Sequence, residues 1–166
     1  MAELTPQERL QPSLIDRLAD DYPNKQREAL DRHAITLEQL RTYIIRDLSW
    51  LLNTGNLAQA QDLSDYPHVE KSVLNYGVLD LAGRAASNLD FVAIEREIQH
   101  AIKFFEPRIS ENNLRVTARS SADEMNGNAL VFEISAEHWA QPVPLELLLR
   151  SEVDLETGTV AVTERH

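Results

Sequence analysis

The sequence predicts an α+β fold in which N-terminal helices pack on a mainly antiparallel, four-stranded C-terminal sheet. Up to Phe105, apolar residues recur at three- and four-residue spacing, the pattern of helices that bury one face. After Pro107, apolar and polar residues alternate with a period of two, which indicates strands. Because the helices precede the strands, and short turn sequences join the strands, we expect an antiparallel sheet and an α+β class.

Two N-terminal helices carry recognisable start signals. Ser13 is suited to cap the first helix, with Asp16 in its first turn. The second helix begins after Thr36, which fits a capping box with Gln39. A turn sequence that contains Gly55 ends this helix, and Gly55 is suited to a left-handed cap. The predicted core stripe of the second helix is Leu37, Leu40, Ile44, Leu48, Leu51 and Leu52.

A long connection and a third helix follow. Residues 57–90 contain turn signals but are too apolar for a floppy linker, so we expect an ordered loop with one helical turn against the core. The third helix is capped by Asn88 or Asp90 and ends near Phe105, because Pro107 cannot continue it. The apolar loop residues are Leu74, Tyr76, Val78, Leu79 and Leu81, and the helix stripe is Phe91, Ile94, Ile98, Ala101, Ile102 and Phe105.

Four segments after the third helix show the strand pattern. Turn sequences at 125–128 and 154–158 favour hairpins between them. The last strand, at 158–163, is expected at a sheet edge, where it either accepts a strand from another chain or is protected by Glu164 and Arg165. The alternating apolar residues are Leu114, Val116 and Ala118, then Leu130, Phe132 and Ile134, then Leu145, Leu147 and Leu149, then Val160 and Val162.

Composition narrows the class of protein. A chain of 166 residues predicts one domain, at 12–166, after a polar and mobile segment at 1–11. The 27 acidic against 16 basic side chains give a formal charge of −11, which argues against nucleic acid and anionic membranes as partners. There is no cysteine, no secretory signal pattern and no apolar run of membrane-spanning length. We therefore expect a cytoplasmic protein without membrane insertion.

The end of the third helix carries an unusual charge pattern. Glu106 follows the helix directly, where the last backbone carbonyls carry partial negative charge and disfavour a carboxylate by roughly 0.3–1 kcal/mol. Pro107 and Arg108 come next. Either Glu106 forms an ion pair with Arg108 or Lys103, or both charges of the Glu106-Pro107-Arg108 motif face a partner protein. In the second case, alanine variants of Glu106 and Arg108 are expected to fold and to lose the partner.

A second surface of the Thr36 helix is a candidate interface. Tyr43, Asp47 and Trp50 fall at i, i+4 and i+7, away from part of the leucine stripe, and Arg46 is placed to stack on Trp50. Tyrosine, tryptophan and arginine are enriched in protein interfaces. The alternative, slightly favoured for Trp50, is that both aromatic residues pack under the long loop.

No catalytic constellation stands out. With 27 acids, pairs of carboxylates are easy to find and uninformative. The histidines form no i,i+4 pair or HExxH motif, and no glycine-rich phosphate loop or GxSxG elbow is present. We therefore expect a protein that is not an enzyme and has no cofactor. The candidate carboxylates for such a pair are Asp47, Glu95, Glu97, Glu106 and Glu133.

Three stretches of the sequence resemble one known family. They are LRTYIIRDLSWLLNT at 40–54, SVLNYGVLDLAG at 72–83 and AIKFFEPRI at 101–109. The opening SLIDRLADD at 13–21 and the hairpin LETGTVAV at 155–162 also fit. The set resembles the TssE family, the baseplate subunits of bacterial type VI secretion systems, which are related to a wedge protein of contractile phage tails in the lysozyme-like superfamily.

The resemblance implies a structural role. It implies a cytoplasmic wedge component that joins the baseplate subunits TssF, TssG and TssK and seeds the TssB–TssC sheath by strand exchange. It also implies that Glu106, Pro107 and Arg108 are the family's functional motif, linked to wedge assembly. The resemblance leaves two alternatives, a peptidoglycan hydrolase suggested by the superfamily label, and the baseplate wedge of a phage-derived contractile tail.

Overall fold

The protein is seen in a computed structural model that describes residues 13–18, 35–85, 89–119, 129–138 and 145–165. The predicted mobile segment at 1–11, the end of the first helix and the hairpin turn at 125–128 lie outside the described residues. The helices are α1 (Leu14–Leu18), α2 (Leu37–Leu52), α3 (Pro67–Glu70) and α4 (Phe91–Phe105). The strands are β1 (Arg115–Arg119), β2 (Ala129–His138), β3 (Leu145–Asp154) and β4 (Val160–Glu164).

The four strands form one antiparallel sheet in the order β1-β2-β3-β4, as predicted. A tight turn joins β3 to β4. In it the Gly158 N–H donates to the Asp154 carbonyl at 2.8 Å, and Gly158 has a positive φ of 74°. The Asp154 side chain accepts the backbone N–H of Glu156 at 2.8 Å, which stabilises the turn. The predicted α+β class is therefore confirmed.

The long helices cover one face of the sheet, with α2 next to β4 and α4 next to β1. Phe132 of β2 and Leu147 of β3 lie at the centre of this layer and have no exposed surface. None of the helices in the described ranges is long and apolar enough to cross a lipid bilayer. The most deeply buried core side chains are Phe132, Ile44, Leu48, Leu51, Ile102, Ile134, Leu147 and Leu149.

Helix α2 begins as predicted but ends differently. The Gln39 N–H donates to Thr36 Oγ1 at 3.1 Å and the Thr36 N–H donates to Gln39 Oε1 at 2.9 Å, which is a complete capping box. Leu37 does not join the core stripe and stays 47% exposed, since it lies one turn before the first buried position, Leu40. The left-handed cap predicted at Gly55 is wrong. Helix α2 ends at Leu52, its C-cap residue is Asn53 with φ −96°, and positive φ occurs at other glycines.

The described part of the connection between α2 and α4 is docked on the core and contains three short helical turns, where one was predicted. These turns are residues 57–59, helix α3 and residues 73–75. The Val78 N–H donates to the Thr54 carbonyl at 2.8 Å, and the Val78 carbonyl accepts the Asn56 N–H at 3.2 Å. Val78 is thereby fixed in the core, whereas Leu74 is 68% exposed and does not pack inward as predicted.

Strand β4 lies at an edge of the sheet, as predicted, and side chains of α2 contact that edge. The Val160 N–H donates to Asn53 Oδ1 at 2.8 Å, and Asn53 Nδ2 donates to the Val160 carbonyl at 2.8 Å. Glu164 pairs with Arg41 at 3.4 Å, and Arg165 pairs with Glu133 of β2. The edge is therefore closed at Val160.

The opposite edge of the sheet is capped in the same way by α4. The Ala118 N–H of β1 donates to Glu95 Oε1 at 2.6 Å. Gln99 Nε2 donates to the Leu114 carbonyl, just before β1, at 2.7 Å. Because unpaired backbone groups at an edge invite pairing with other chains, these contacts restrict where another strand can be added.

Candidate interaction site at the end of helix α4

The site begins where α4 stops. Pro107 prevents a further turn, and Glu106 becomes the C-terminal cap with φ −122° and ψ 77°. The Glu106 N–H still donates to the Ile102 carbonyl at 2.9 Å. Only 4% of Glu106 is exposed, so its carboxylate is buried beside the negative end of the helix. Such an arrangement requires a cation close by.

Arg108 supplies that cation. Its Nε donates to Glu106 Oε1 at 2.6 Å and its Nη2 donates to Glu106 Oε2 at 2.5 Å. The Arg108 backbone N–H also approaches Oε1 at 3.3 Å. Two parallel hydrogen bonds between a guanidinium and a carboxylate are among the strongest polar contacts in proteins. Of the sequence alternatives, the ion pair is present and its partner is Arg108.

The pair is part of a longer row of alternating charges, Asp16, Arg46, Asp47, Arg108 and Glu106, which we call the charge network. Arg108 Nη2 contacts Asp47 Oδ2 at 2.5 Å. Asp47 Oδ1 accepts Arg46 Nη2 at 2.7 Å and Nε at 2.9 Å. Arg46 Nη1 contacts Asp16 Oδ1 at 2.5 Å. The network therefore joins α1, α2 and the segment after α4.

The network favours the charged forms of three of its members, Asp16, Arg46 and Arg108. Burial acts to lower the pKa of Arg108, but the hydrogen bonds and charges of Glu106 and Asp47 outweigh it and raise the pKa above its ordinary value. Burial acts to raise the pKa of Asp16, but hydrogen bonds from Arg46 and Ser13 outweigh it and lower the pKa. Arg46 and Arg108 consequently remain cations at any pH at which the protein is folded.

Two further ionisable side chains lie within reach of these charges. Burial lowers the pKa of His138, and the positive charge of Arg108 lowers it further. Burial also raises the pKa of Tyr76, and the negative charges of Asp47 and Glu106 add to that effect. The Tyr76 ring meets the Phe105 ring edge-on, with 5.2 Å between ring centroids. Both side chains are therefore neutral at pH 7 beside a row of charged groups.

The aromatic face predicted on α2 continues the site. The Arg46 guanidinium lies 5.1 Å from the centre of the Tyr43 ring and 4.8 Å from the centre of the Trp50 ring. Trp50 is 49% exposed, so the interpretation that it packs under the long loop is wrong. Tyr43 is half-buried.

A groove of about 530 Å³ runs beside the charge network. Trp50, Phe105 and Pro107 line it on one side, and Leu14 and Ile15 of α1 also contribute. Leu14 is 71% exposed and Ile15 is 55% exposed, which is unusual for aliphatic side chains next to one another. The structure thus brings Glu106, Pro107, Arg108, Asp47 and Trp50 to one groove. Arg46 and Tyr43 do not line the groove, but Arg46 stacks on both Trp50 and Tyr43 beside it.

Sequence reasoning did not find Asp16, Tyr76 and His138 as members of this site. Asp16 had been assigned only a place in the first turn of α1, yet it is the outermost anion of the charge network. Arg46 is 30 residues from Asp16, and Arg108 is 61 residues from Asp47. No local pattern encodes contacts of that separation, so only the tertiary structure reveals them.

Arg108 engages the Glu106 carboxylate completely in this geometry. Both carboxylate oxygens accept hydrogen bonds from Arg108, and only 4% of the residue is exposed. In the part of the chain that the structure describes, no group of three or more histidine and acidic side chains is placed to hold a metal ion. The arrangement instead stabilises a junction of three chain segments beside an apolar groove.

Comparison with known families identifies the class. A family model described as "Baseplate wedge protein gp25" matches residues 38–143, from α2 to the approach to β3. The chain belongs to this family, and its role is that of a structural component of a phage-like baseplate. The family resemblance predicted from the sequence is thereby confirmed. A comparison with curated proteins found no match.

Proposed function

We propose that this chain is the TssE-type wedge subunit of a bacterial type VI secretion baseplate, acting in the cytoplasm as a structural protein. The observation that carries the proposal is that the three stretches with the strongest resemblance converge in space. Arg108 of the 101–109 stretch contacts Asp47 of the 40–54 stretch at 2.5 Å. Tyr76 of the 72–83 stretch packs on Phe105 of the 101–109 stretch. The shared motifs therefore build one local structure.

The surface beside this convergence provides the contact with TssF, TssG and TssK. Trp50 is exposed, stacked on Arg46 and next to an apolar groove, a combination typical of energetically dominant interface residues. Glu106 is buried, so its part is to fix the position of Arg108 and the shape of the groove. In this proposal the motif acts on the partner through the surface that it supports.

Replacement of Trp50 by alanine tests the contact. Its side chain is half exposed, so the variant is expected to keep its fold while binding of a TssF–TssG–TssK complex weakens by at least tenfold, as for a central interface tryptophan. Tyr66→Ala is the matched control, because Tyr66 is a 55% exposed aromatic residue outside the groove. Co-purification at controlled concentrations gives the measurement. Equal capture of both variants and the unmodified chain counts against the groove.

Seeding of the TssB–TssC sheath is the second part of the proposal, and the edge of β4 is its candidate site. The backbone N–H and carbonyl of Val160 point away from β3 and are bonded to Asn53. In an antiparallel ladder the outward-pointing groups recur at every second residue, so those of Val162 and Glu164 point the same way. A sheath strand is therefore expected to pair alongside Val162 and Glu164.

We propose further that the chain is not a peptidoglycan hydrolase. The buried and fully hydrogen-bonded carboxylate of Glu106 supports this proposal. A turnover assay with purified cell wall tests it, and activity that a single Glu→Gln change removes would overturn it.

The genes next to this one distinguish a type VI system from a phage-derived tail, since each of the two systems is encoded together with its own set of component proteins.

A further inference from the structure

A second cavity, separate from the groove, lies just beyond the C-terminal end of α2. It encloses about 230 Å³ between the end of α2, residues 78–81, helix α4 and the β3–β4 turn, and it shares no described lining residue with the groove. We propose that this cavity is a pocket for one basic side chain, a lysine or an arginine, presented by a partner protein. This proposal is the same whether the chain belongs to a type VI secretion system or to a phage-derived tail.

The charge of the pocket favours a cation. Among the described lining residues, Asp80 and Glu97 are acidic and none is basic. Glu97 Oε1 accepts a hydrogen bond from Asn56 Nδ2 at 3.0 Å, and Asp80 Oδ1 accepts the Ala82 N–H at 2.9 Å. An ionised carboxylate has about four lone-pair positions, so each group retains capacity to accept further bonds from an ammonium or guanidinium. The chain as a whole, at −11, also attracts basic partners.

A buried hydroxyl in the wall gives a second, independent reason. Ser151 of β3 is 1% exposed and lines the cavity, and its Oγ makes no hydrogen bond to any described residue. The neighbouring inward positions of the same strand, Leu149 and Val153, are apolar, so a serine here is not the usual choice for packing. Buried polar groups are normally hydrogen-bonded, and a hydroxyl oxygen accepts a bond from a cationic donor.

The volume and the lining of the cavity indicate the size of its occupant. About 230 Å³ lies below the roughly 300–1,000 Å³ of pockets for drug-sized ligands, so one side chain is a better fit than a whole cofactor. Leu52, Leu81 and Ile94 supply apolar wall, while the two carboxylates supply the charge. This combination matches a long aliphatic stem that ends in a positive charge.

The test is a titration of the full chain with two small probes, followed by NMR of the backbone amides. The probes are Nα-acetyl-lysine methylamide and Nα-acetyl-norleucine methylamide, which share the stem but differ in the charged end. We expect saturable shifts near Ser151, Asp80 and Glu97 with the lysine probe, and binding of the norleucine probe that is roughly tenfold weaker or more. Added salt should weaken the lysine probe selectively.

Two variants assign the effect to the pocket. Glu97→Gln keeps the acceptor for Asn56 but removes the charge, and it should weaken the lysine probe about tenfold. Glu95→Gln is the matched control on the same helix, since Glu95 does not line the cavity, and it should bind like the unmodified chain. If Glu97→Gln does not fold, Asp80→Asn takes its place.

Three results would overturn the proposal. Equal binding of the lysine and norleucine probes would make the cavity an apolar hole without charge selectivity. Binding of neither probe at millimolar concentration would make it a packing void or a water site. Equal weakening by Glu95→Gln and Glu97→Gln would place the effect in the general negative charge of the chain.

Discussion

At the scale of single residues, Arg108 is the side chain on which the candidate site depends most. Its replacement by alanine leaves the carboxylate of Glu106, which is 4% exposed, without the cation that binds both of its oxygens. Breaking a buried pair by removing one partner destabilises a protein by roughly 3–5 kcal/mol. We therefore expect Arg108→Ala to lower the free energy of unfolding by about that amount in urea titrations. The alternative in which both charges face a partner predicts instead that this variant keeps its stability and loses only the partner.

An exposed pair on the sheet gives the comparison for this prediction. Arg119 bonds to Glu133 with Nε at 2.7 Å, but its side chain is 59% exposed. Exposed pairs of this kind contribute about 0–1 kcal/mol, so Arg119→Ala should change the unfolding free energy little. If Arg108→Ala were no more destabilising than Arg119→Ala, the charge network would have no structural role, and a contact with a partner would be the better explanation of the motif.

His138 makes the stability of the protein depend on pH. Its pKa in the folded state is lowered from 6.5, first by burial and then by the charge of Arg108, so the unfolded chain binds the proton more readily. Stability from this residue is fully present above the unfolded pKa and is lost as the pH falls below about 6.5. Urea titrations between about pH 7 and pH 5 should show a decline that His138→Gln reduces.

The exposed histidine His68 supplies the control for the pH experiment. His68→Gln should leave the decline unchanged, because the His68 side chain is exposed to solvent in the folded protein as it is in the unfolded chain. An unchanged slope in His138→Gln would show that other groups cause the decline. The lowered pKa values of Asp16, Glu133 and Asp154 produce a separate loss at more acidic pH, because those carboxylates must be protonated there.

At this scale the sequence predicted that a carboxylate lies at the negative end of α4, but it did not predict the full set of side chains that compensate for it. The carboxylate of Glu106 could be recognised as unfavourably placed because the adjacent sequence alone predicts that α4 ends there. Arg108, two residues away, was a candidate partner for the same reason. Asp47 and Asp16 could not be connected to the motif, since those contacts require α1 and α2 to be packed beside the end of α4. The local sequence places an unfavourable negative charge at the end of α4. The tertiary packing determines which charged side chains complete the network around it.

At the scale of elements, the docking of the connection onto the end of α2 depends on Gly77. Its φ is 124°, and a Cβ atom there would overlap the carbonyl oxygen of Thr54. That oxygen accepts the Val78 N–H, so the overlap would break the hydrogen bond that fixes the segment. We expect Gly77→Ala to destabilise by clearly more than the ~1–2 kcal/mol that a left-handed conformation costs a residue with a side chain.

Gly83 separates conformational strain from overlap in that experiment. It also has a positive φ, 72°, but a Cβ atom there would meet nothing within 4 Å among the described residues. Gly83→Ala should therefore cost only about 1–2 kcal/mol, measured by the same urea titrations. Equal losses for the two variants would mean that the segment around Val78 moves away from Thr54 without penalty.

The elements themselves were largely predictable, and the exceptions have physical reasons. Periodicity located α2, α4 and the four strands because each buries a continuous face. Gly55 carried a helix-stop signal, but the cap is made by Asn53, whose side chain is held by the Val160 backbone 107 residues away. A turn sequence indicates only the local preference of the backbone for a helix end, and here the contact between Asn53 and Val160 determines where the cap forms.

At the scale of the whole molecule, the two long helices both cover the sheet and cap its edges. Asn53, the C-cap residue of α2, binds the β4 edge at Val160, and Glu95 of α4 binds the β1 edge at Ala118. Each edge strand is five residues long, so one such contact removes a large share of its outward groups. The sheath seeding proposed above would use the part of β4 beyond Val160.

Replacement of Val162 by proline tests this direction of assembly. Proline lacks the N–H that points away from β3 at this position, and an edge strand tolerates it better than a central strand does. The variant should keep its fold and the proposed TssF–TssG–TssK contact but no longer start polymerisation of TssB and TssC. Val162→Ala removes the same side chain and keeps the N–H, so it should still seed sheaths, as counted by electron microscopy. If both variants seeded equally well, strand addition would not use β4, and sheath contact would have to arise at another surface of the wedge.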